Sequence, residues 1–319
     1  MLEPADDAPA LLLALAGDKA VAPDAVAIPR LQRSAGAGRV TFKTLTDASG
    51  PRTVLGDLEQ SGCIRLRLPG PEPRVAPSAV TINTAGGLTD GDDVRLSAAW
   101  GPGTLAAVTS QAAERIYRAR TSPTPPEPAR IETNLVVGEG ATGLWLPQET
   151  ILFDGGRYRR RVTAALAEGG TLLACESLII GRRAMGERVT SGFVHDGWRI
   201  RHGGRLVLAD ALRLEGDIEA LLDRPATGRG ARALATVILV GAAAEGCLAP
   251  ARAITERIGG TDGCLAGVSR IGPVLIARLL APGGAPLRRD LTALLAGLLT
   301  AMTQTGATHD LALPRLWHF

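Results

Sequence analysis

The residues best suited to chemistry in this 319-residue chain are acids set among glycines. In Asn83-Thr-Ala-Gly-Gly-Leu-Thr-Asp-Gly-Asp-Asp93, three carboxylates, Asp90, Asp92 and Asp93, crowd one turn. Carboxylates this close repel one another unless a cation, an arginine or water relieves them. The glycines permit positive φ and close backbone approach. Seen alone, such a turn reads as a solvated corner, and its order of residues does not meet the twelve-residue EF-hand calcium loop. Four more polar clusters follow. They are Thr109-Ser-Gln-Ala-Ala-Glu-Arg-Ile-Tyr-Arg118, Leu144-Trp-Leu-Pro-Gln-Glu-Thr-Ile-Leu-Phe153, Gly181-Arg-Arg-Ala-Met-Gly-Glu187 with Glu176 just before it, and Leu313-Pro-Arg-Leu-Trp317.

The familiar catalytic arrangements are missing from the sequence. Gly138-Glu-Gly140-Ala-Thr-Gly143 matches G-x-G-x-x-G in form, but a dinucleotide site needs a helix directly after it. Pro147 follows too soon for one, so the match reads as a β-turn. There is no G-x-S-x-G elbow. His195 and His202, with six residues between them, read as surface residues on or near a hairpin. Cys63, Cys175, Cys247 and Cys264 are widely spaced and read as free, mostly buried thiols. Of 35 basic residues only Lys19 and Lys43 are lysines, so downstream there is no lysine for a phosphate loop or Schiff base.

The elements that must carry these clusters are strands. Val40 and Phe42 share a face, as do Ile64, Leu66 and Leu68. Val94, Leu96, Ala98 and Trp100 repeat the alternation, followed by Ile131, Thr133, Leu135 and Val137. Tyr158, Arg160, Val162, Ala164 and Leu166 do so again. A period of two marks half-buried strands. Gly101-Pro102-Gly103, Gly155-Gly156 and Gly169-Gly170 separate them as turns. Strands this dense, without helices between them, fold back on one another as sheets. Two late helices are expected. Ala249–Ile258 stops at Gly259-Gly260, and 288–304 starts after Pro286, carries an apolar stripe from Leu291 to Met302 and ends at Gly306. Residues 1–34 read as a loose leader, 121–130 and 225–232 as loops, and no repeat of fixed period is visible.

Composition narrows the function. Aromatics are 3% of the chain and the net charge is only +3, which disfavours a nucleic-acid surface. No signal peptide and no apolar run long enough to cross a membrane is read, so a cytoplasmic protein is expected.

Taken in order, the five clusters resemble the UreD (UreH) family of urease accessory proteins, over roughly Arg39 to Trp317. Asn-Thr-x-Gly-Gly-Leu-x-x-Gly-Asp, Ser-Gln-Ala-Ala-x-x-x-Tyr-Arg, Trp-Leu-Pro-Gln-Glu-Thr-Ile, Gly-Arg-x-Ala-x-Gly-Glu and Pro-Arg-Leu-Trp carry the resemblance. Ala85 and Asp90 depart from the usual pattern. The resemblance implies a mainly β fold, a helical stack of many short strands with two α-helices in the C-terminal part, as a single domain over 35–319. It implies a non-catalytic maturation chaperone that joins apo-urease to UreF and UreG. GTP would enter only through UreG, and nickel would be held transiently on its way to urease.

A nickel conduit must bind weakly at several points. Carboxylates and water suit that better than a cage of thiolates and imidazoles. By resemblance the passage acids fall on Asp92, Asp93, Glu176 and Asp210, with Glu149 and Glu187 behind them. Ion pairing to Arg182 or Arg118 competes with the last two roles. The C-terminal Trp317 suits either a partner anchor or the chain's own core. Two other readings remain on residues alone: a β-rich hydrolase pairing Asp92 or Asp93 with His195, and a ligand-binding module.

Overall fold

The computed structural model describes residues 33–48, 50–258, 263–306 and 311–318. A long hairpin of β1 (Ala35–Asp47) and β2 (Gly50–Gly62) opens the fold, followed by β3 (Ile64–Arg67) and β4 (Ser78–Asn83). The chain then winds. β5 (Asp93–Trp100), β6 (Leu105–Ser110) and β7 (Glu114–Ile116) make one coil. β8 (Ala129–Val137), β9 (Thr142–Leu146) and β10 (Thr150–Leu152) make the next. β11 (Arg157–Leu166) and β12 (Thr171–Ile180) complete a third. Equivalent strands of successive coils pair in parallel: β5 with β8 and β8 with β11, β6 with β9 and β9 with β12, β7 with β10. This is the expected helical stack.

β13 (Phe193–His202) and β14 (Arg205–Glu215) extend one side to a seven-stranded sheet. β15 (Ala233–Val240), β16 (Leu265–Ile271) and β17 (Val274–Ala281) extend the other to ten strands. Residue pattern explains the layering. β8 alternates buried and exposed residues along its whole length, so its sheet keeps one wet face. β9 is buried at every position and β12 at nearly every one, as expected of a sheet covered on both sides. One core lies between the sheets around Phe42, Trp100, Leu135, Trp145 and Val162. A second lies beneath the helices.

Among the described residues four α-helices are present rather than the two expected. α1 (Ile218–Asp223) and α2 (Ala243–Gly246) are too short to show periodicity in sequence. α3 (Leu248–Ile258) matches expectation, while the glycines expected to stop it lie outside the described residues. α4 (Gly284–Gln304) begins before Pro286, not after it. In a first turn the missing proline N–H has no helical partner to lose. Gly306, at φ 75°, donates its N–H to Thr303 and ends α4 as expected. Leu291, Leu294, Leu295, Leu298, Leu299 and Met302 bury against the ten-stranded sheet. Residues 1–32 of the expected leader lie outside the described residues, whereas Arg33 and Ser34 are tied to Asp90 and Asp92.

Candidate functional site

The strand alternation carries a charged residue inward. On β11, Arg160 shares its face with Tyr158 and Val162 and is buried between the sheets. Its neighbour across the parallel pair is Asp196 of β13, which accepts from Nε at 3.0 Å and is also bonded by Nη2. From the opposite sheet, Glu176 of β12 meets Nη1, which also donates to the Thr150 hydroxyl at 3.0 Å. Trp145 Nε1 donates to the other Glu176 oxygen at 3.1 Å. One arginine therefore ties two buried acids from two sheets.

Burial pushes the Glu176 carboxyl up to about 7, against the pull of Arg160, with Asp196 pushing it further up. For Arg160, burial opposes the charge, but Asp196 and Glu176 outweigh it and hold the guanidinium protonated. The Tyr158 hydroxyl beside them is fully buried without a hydrogen-bond partner among the described residues, and burial raises it far above its ordinary value.

Two cavities abut on this ion cluster. One of about 190 Å³ runs from Asn83 and Glu114 to Trp145, Arg160 and Glu176. The other, about 30 Å³, continues from Arg160, Glu176 and Asp196 to Asp210. Both set these polar groups in a mainly apolar lining and are large enough for water. Glu114 accepts from Asn83 Nδ2 at 3.1 Å at both oxygens, and burial raises its carboxyl. At the far end Asp210 pairs with Arg278 at 2.7 Å. The acids thus run in the order Glu114, Glu176, Asp196, Asp210. Among the described residues, no group of three or more His, Cys, Asp or Glu side chains could hold a metal.

Glu176 and Asp210 therefore sit together on the interior line. Asp92 and Asp93 do not belong to its walls. Asp92 is buried in its turn and accepts the Ser34 and Thr89 N–H groups, each at 2.8 Å, which is a staple for the chain. Asp93 is half-buried and pairs with Arg95 at 2.9 Å. Asp90 is relieved by Arg33 at 2.7 Å and Arg120 at 3.2 Å. The glycines behave as expected: a Cβ on Gly87 would lie 2.4 Å from the Tyr117 ring. Glu149 faces Arg288 at 3.6 Å, off the line. Glu187 is paired with Arg182 at 2.9 Å, the competing role. Its slight burial opposes ionisation, but the Arg182 donors and the Asp154 N–H outweigh it and hold the carboxyl low.

Other expectations are decided by position. Asp93 and His195 occupy one ladder row with Arg130 and Arg159 between them. Three strand spacings, about 14 Å, separate them, so the hydrolase pair does not form. Gly138–Gly143 is the turn into β9, followed by a strand. Trp317 is in the core: it donates to the Leu146 carbonyl at 3.1 Å, and Arg288 lies 4.2 Å over its ring. Cys175, Cys247 and Cys264 are buried, and burial raises the Cys175 and Cys247 thiols.

The separate sequence clusters meet in space. Across the first two, the Leu88 N–H donates to the Arg115 carbonyl and the Leu88 carbonyl accepts from the Tyr117 N–H, and the Tyr117 hydroxyl donates to Gly86 at 2.9 Å. Arg288 bridges the third and fifth, donating to Gln148 at 2.6 Å and to Leu316 at 2.8 Å. Glu114, Arg160 and Asp196 escape a motif-based reading. The available signal was an ionisable residue on the apolar side of an alternating strand.

A sequence profile described as the UreD urease accessory protein matches residues 35–318. The chain is 43% identical over 290 residues to the urease accessory protein UreD of Methylobacterium sp. (strain 4-46), covering 91% of this chain and 96% of that one. It is 39% identical to the UreD of Agrobacterium fabrum, covering 91% and 93%. It is 42% identical to the UreD of Xanthobacter autotrophicus, covering 90% of each chain. With the winding of its strands and the meeting of its five clusters, this chain belongs to the UreD family of urease accessory proteins.

Proposed function

We propose that the chain is a non-catalytic, cytoplasmic maturation chaperone whose single domain, residues 35–319, joins apo-urease to UreF and UreG and passes nickel between them. The carrying observation is the junction of two acid-bearing cavities at Glu176. Glu114, Glu176, Asp196 and Asp210 offer a hydrated cation successive single carboxylates, each too few to hold it. Arg160 and Arg278 partly neutralise this line, so a divalent cation is attracted without being caged. In this reading Asp92 and Asp93 hold the turn beside the passage, and Glu149 and Glu187 hold loops. Nickel is cargo, and any GTP hydrolysis belongs to UreG. No helix among the described residues is long and apolar enough to cross a membrane.

The test uses Glu176→Gln and Asp210→Asn, which remove charge but keep shape. Each is co-expressed with urease and its accessory proteins, and urease activity is measured per assembled complex. The double variant is expected to assemble and to lose most of the activation. Normal activation by an assembled double variant would defeat the reading.

A further inference from the structure

The outer face of the seven-stranded sheet carries a further recess, which meets the passage lining at Arg160, Trp198 and Asp210. Its floor is Gly197 on β13, beside Ala209 and Ala211 on β14. A Cβ on Gly197 would come no nearer than 3.9 Å to its surroundings, so the recess exists because that side chain is missing. Arg159 and Arg161 of β11 and His195 and Arg199 of β13 wall a space of about 250 Å³.

Ladder register forces these charges together. Arg130, Arg159, His195 and Arg213 form one row across four strands, and Arg161 lies directly across from Gly197. Like charges set opposite each other across strands destabilise a sheet. Among the described residues, Arg159, Arg161 and Arg199 are exposed and none pairs with a carboxylate, although Glu132 neighbours Arg161 in register. The crowding is felt by His195: partial burial, then Arg159 and Arg213, hold its imidazole below its ordinary value. The chain therefore keeps an uncompensated positive recess on a rigid sheet.

We propose that this recess docks a carboxylate cluster on a partner protein, an acidic surface segment whose Asp and Glu side chains pair with Arg159, Arg161 and Arg199. Planar guanidinium groups match carboxylates in paired hydrogen bonds. The recess is bounded, with Glu132 on one side and Glu215, already paired to Arg213 at 2.7 Å, on another. That suits a compact acidic cluster and not a long phosphate track. Nor does the recess expose a Phe, Tyr or Trp ring for base stacking among the described residues: Phe193 is buried, with Arg157 at 5.0 Å and Arg213 at 5.8 Å over it. The recess borders the interior passage at Arg160 and Asp210, so the test leaves those two residues unchanged.

The test is fluorescence anisotropy of the purified full-length chain with a labelled short oligoglutamate at low salt. Charge reversal at all three positions (R159E, R161E, R199E) is expected to weaken binding at least about tenfold. The same charge change on other exposed arginines (R67E, R183E, R224E) is expected to change it less than about twofold. A glutamine triple at the recess removes the charge without reversing it and should follow the reversal if the variant still melts like the parent. Equal weakening by the control set would overturn the proposal, as would tighter binding of an oligothymidylate through the same arginines.

Discussion

Replacing Arg160 with alanine would strand Glu176 and Asp196 in a buried space without their shared partner. Losing one member of such a cluster costs about 3–5 kcal/mol, so R160A should unfold at distinctly lower denaturant than the parent. Glu176 adds a pH signature. Its folded value, about 7, lies above the ordinary 4.5, so the folded chain binds this proton more tightly than the unfolded chain. Its stabilising contribution is complete below about 4.5 and is lost as pH rises through about 7. The parent should therefore lose stability relative to E176Q over that window, measured as the difference in denaturation midpoint at several pH values. An unchanged difference would mean that Glu176 titrates normally in the fold. At this scale the sequence was partly legible. Glu176 and Asp210 were found through resemblance, and Arg160 stood visibly on an apolar face. Asp196 was not found, because its role depends on which strand lies beside β13.

At the scale of elements, the acidic turn is held by geometry that glycine alone permits. Gly87 has φ 152°, and its missing Cβ leaves room for the Tyr117 ring. G87A should destabilise the chain by about 2 kcal/mol or more through clash and strain. G86A, at φ 77° in open space, should cost only about 1 kcal/mol. Chemical denaturation of both variants checks the order, and equal costs would contradict the packing argument. Beneath the ten-stranded sheet, L295A removes a fully buried side chain of α4 and should cost about 2–5 kcal/mol, read from the same curves. Long elements with strict periodicity were legible in sequence: β5, β8, β11 and α4 all follow their patterns. The start of α4 was not, since a proline in a first turn and one that breaks a helix look alike in sequence. α1 and α2 were invisible because single turns have no period.

At the scale of the molecule, the winding explains why no repeat could be read. Asp93 sits beside Arg130 and Arg130 beside Arg159, steps of 37 and then 29 residues. The strands stack in register while the corners between them differ in length, which erases a fixed period. The same stacking turns spacing in sequence into rows in space. It sets Glu176 against Arg160 inside and gathers arginines around Gly197 outside. Neither arrangement can be derived before the coils are aligned. The interior line of acids implies a particular failure when it is neutralised: the accessory complex should form, yet urease should remain short of metal. The most direct measurement is the nickel content of urease matured with E176Q/D210N at limiting nickel, alongside recovery of the accessory complex. Passage through this interior predicts nickel-poor urease with normal complex recovery. Fully loaded urease from the assembled double variant would contradict it.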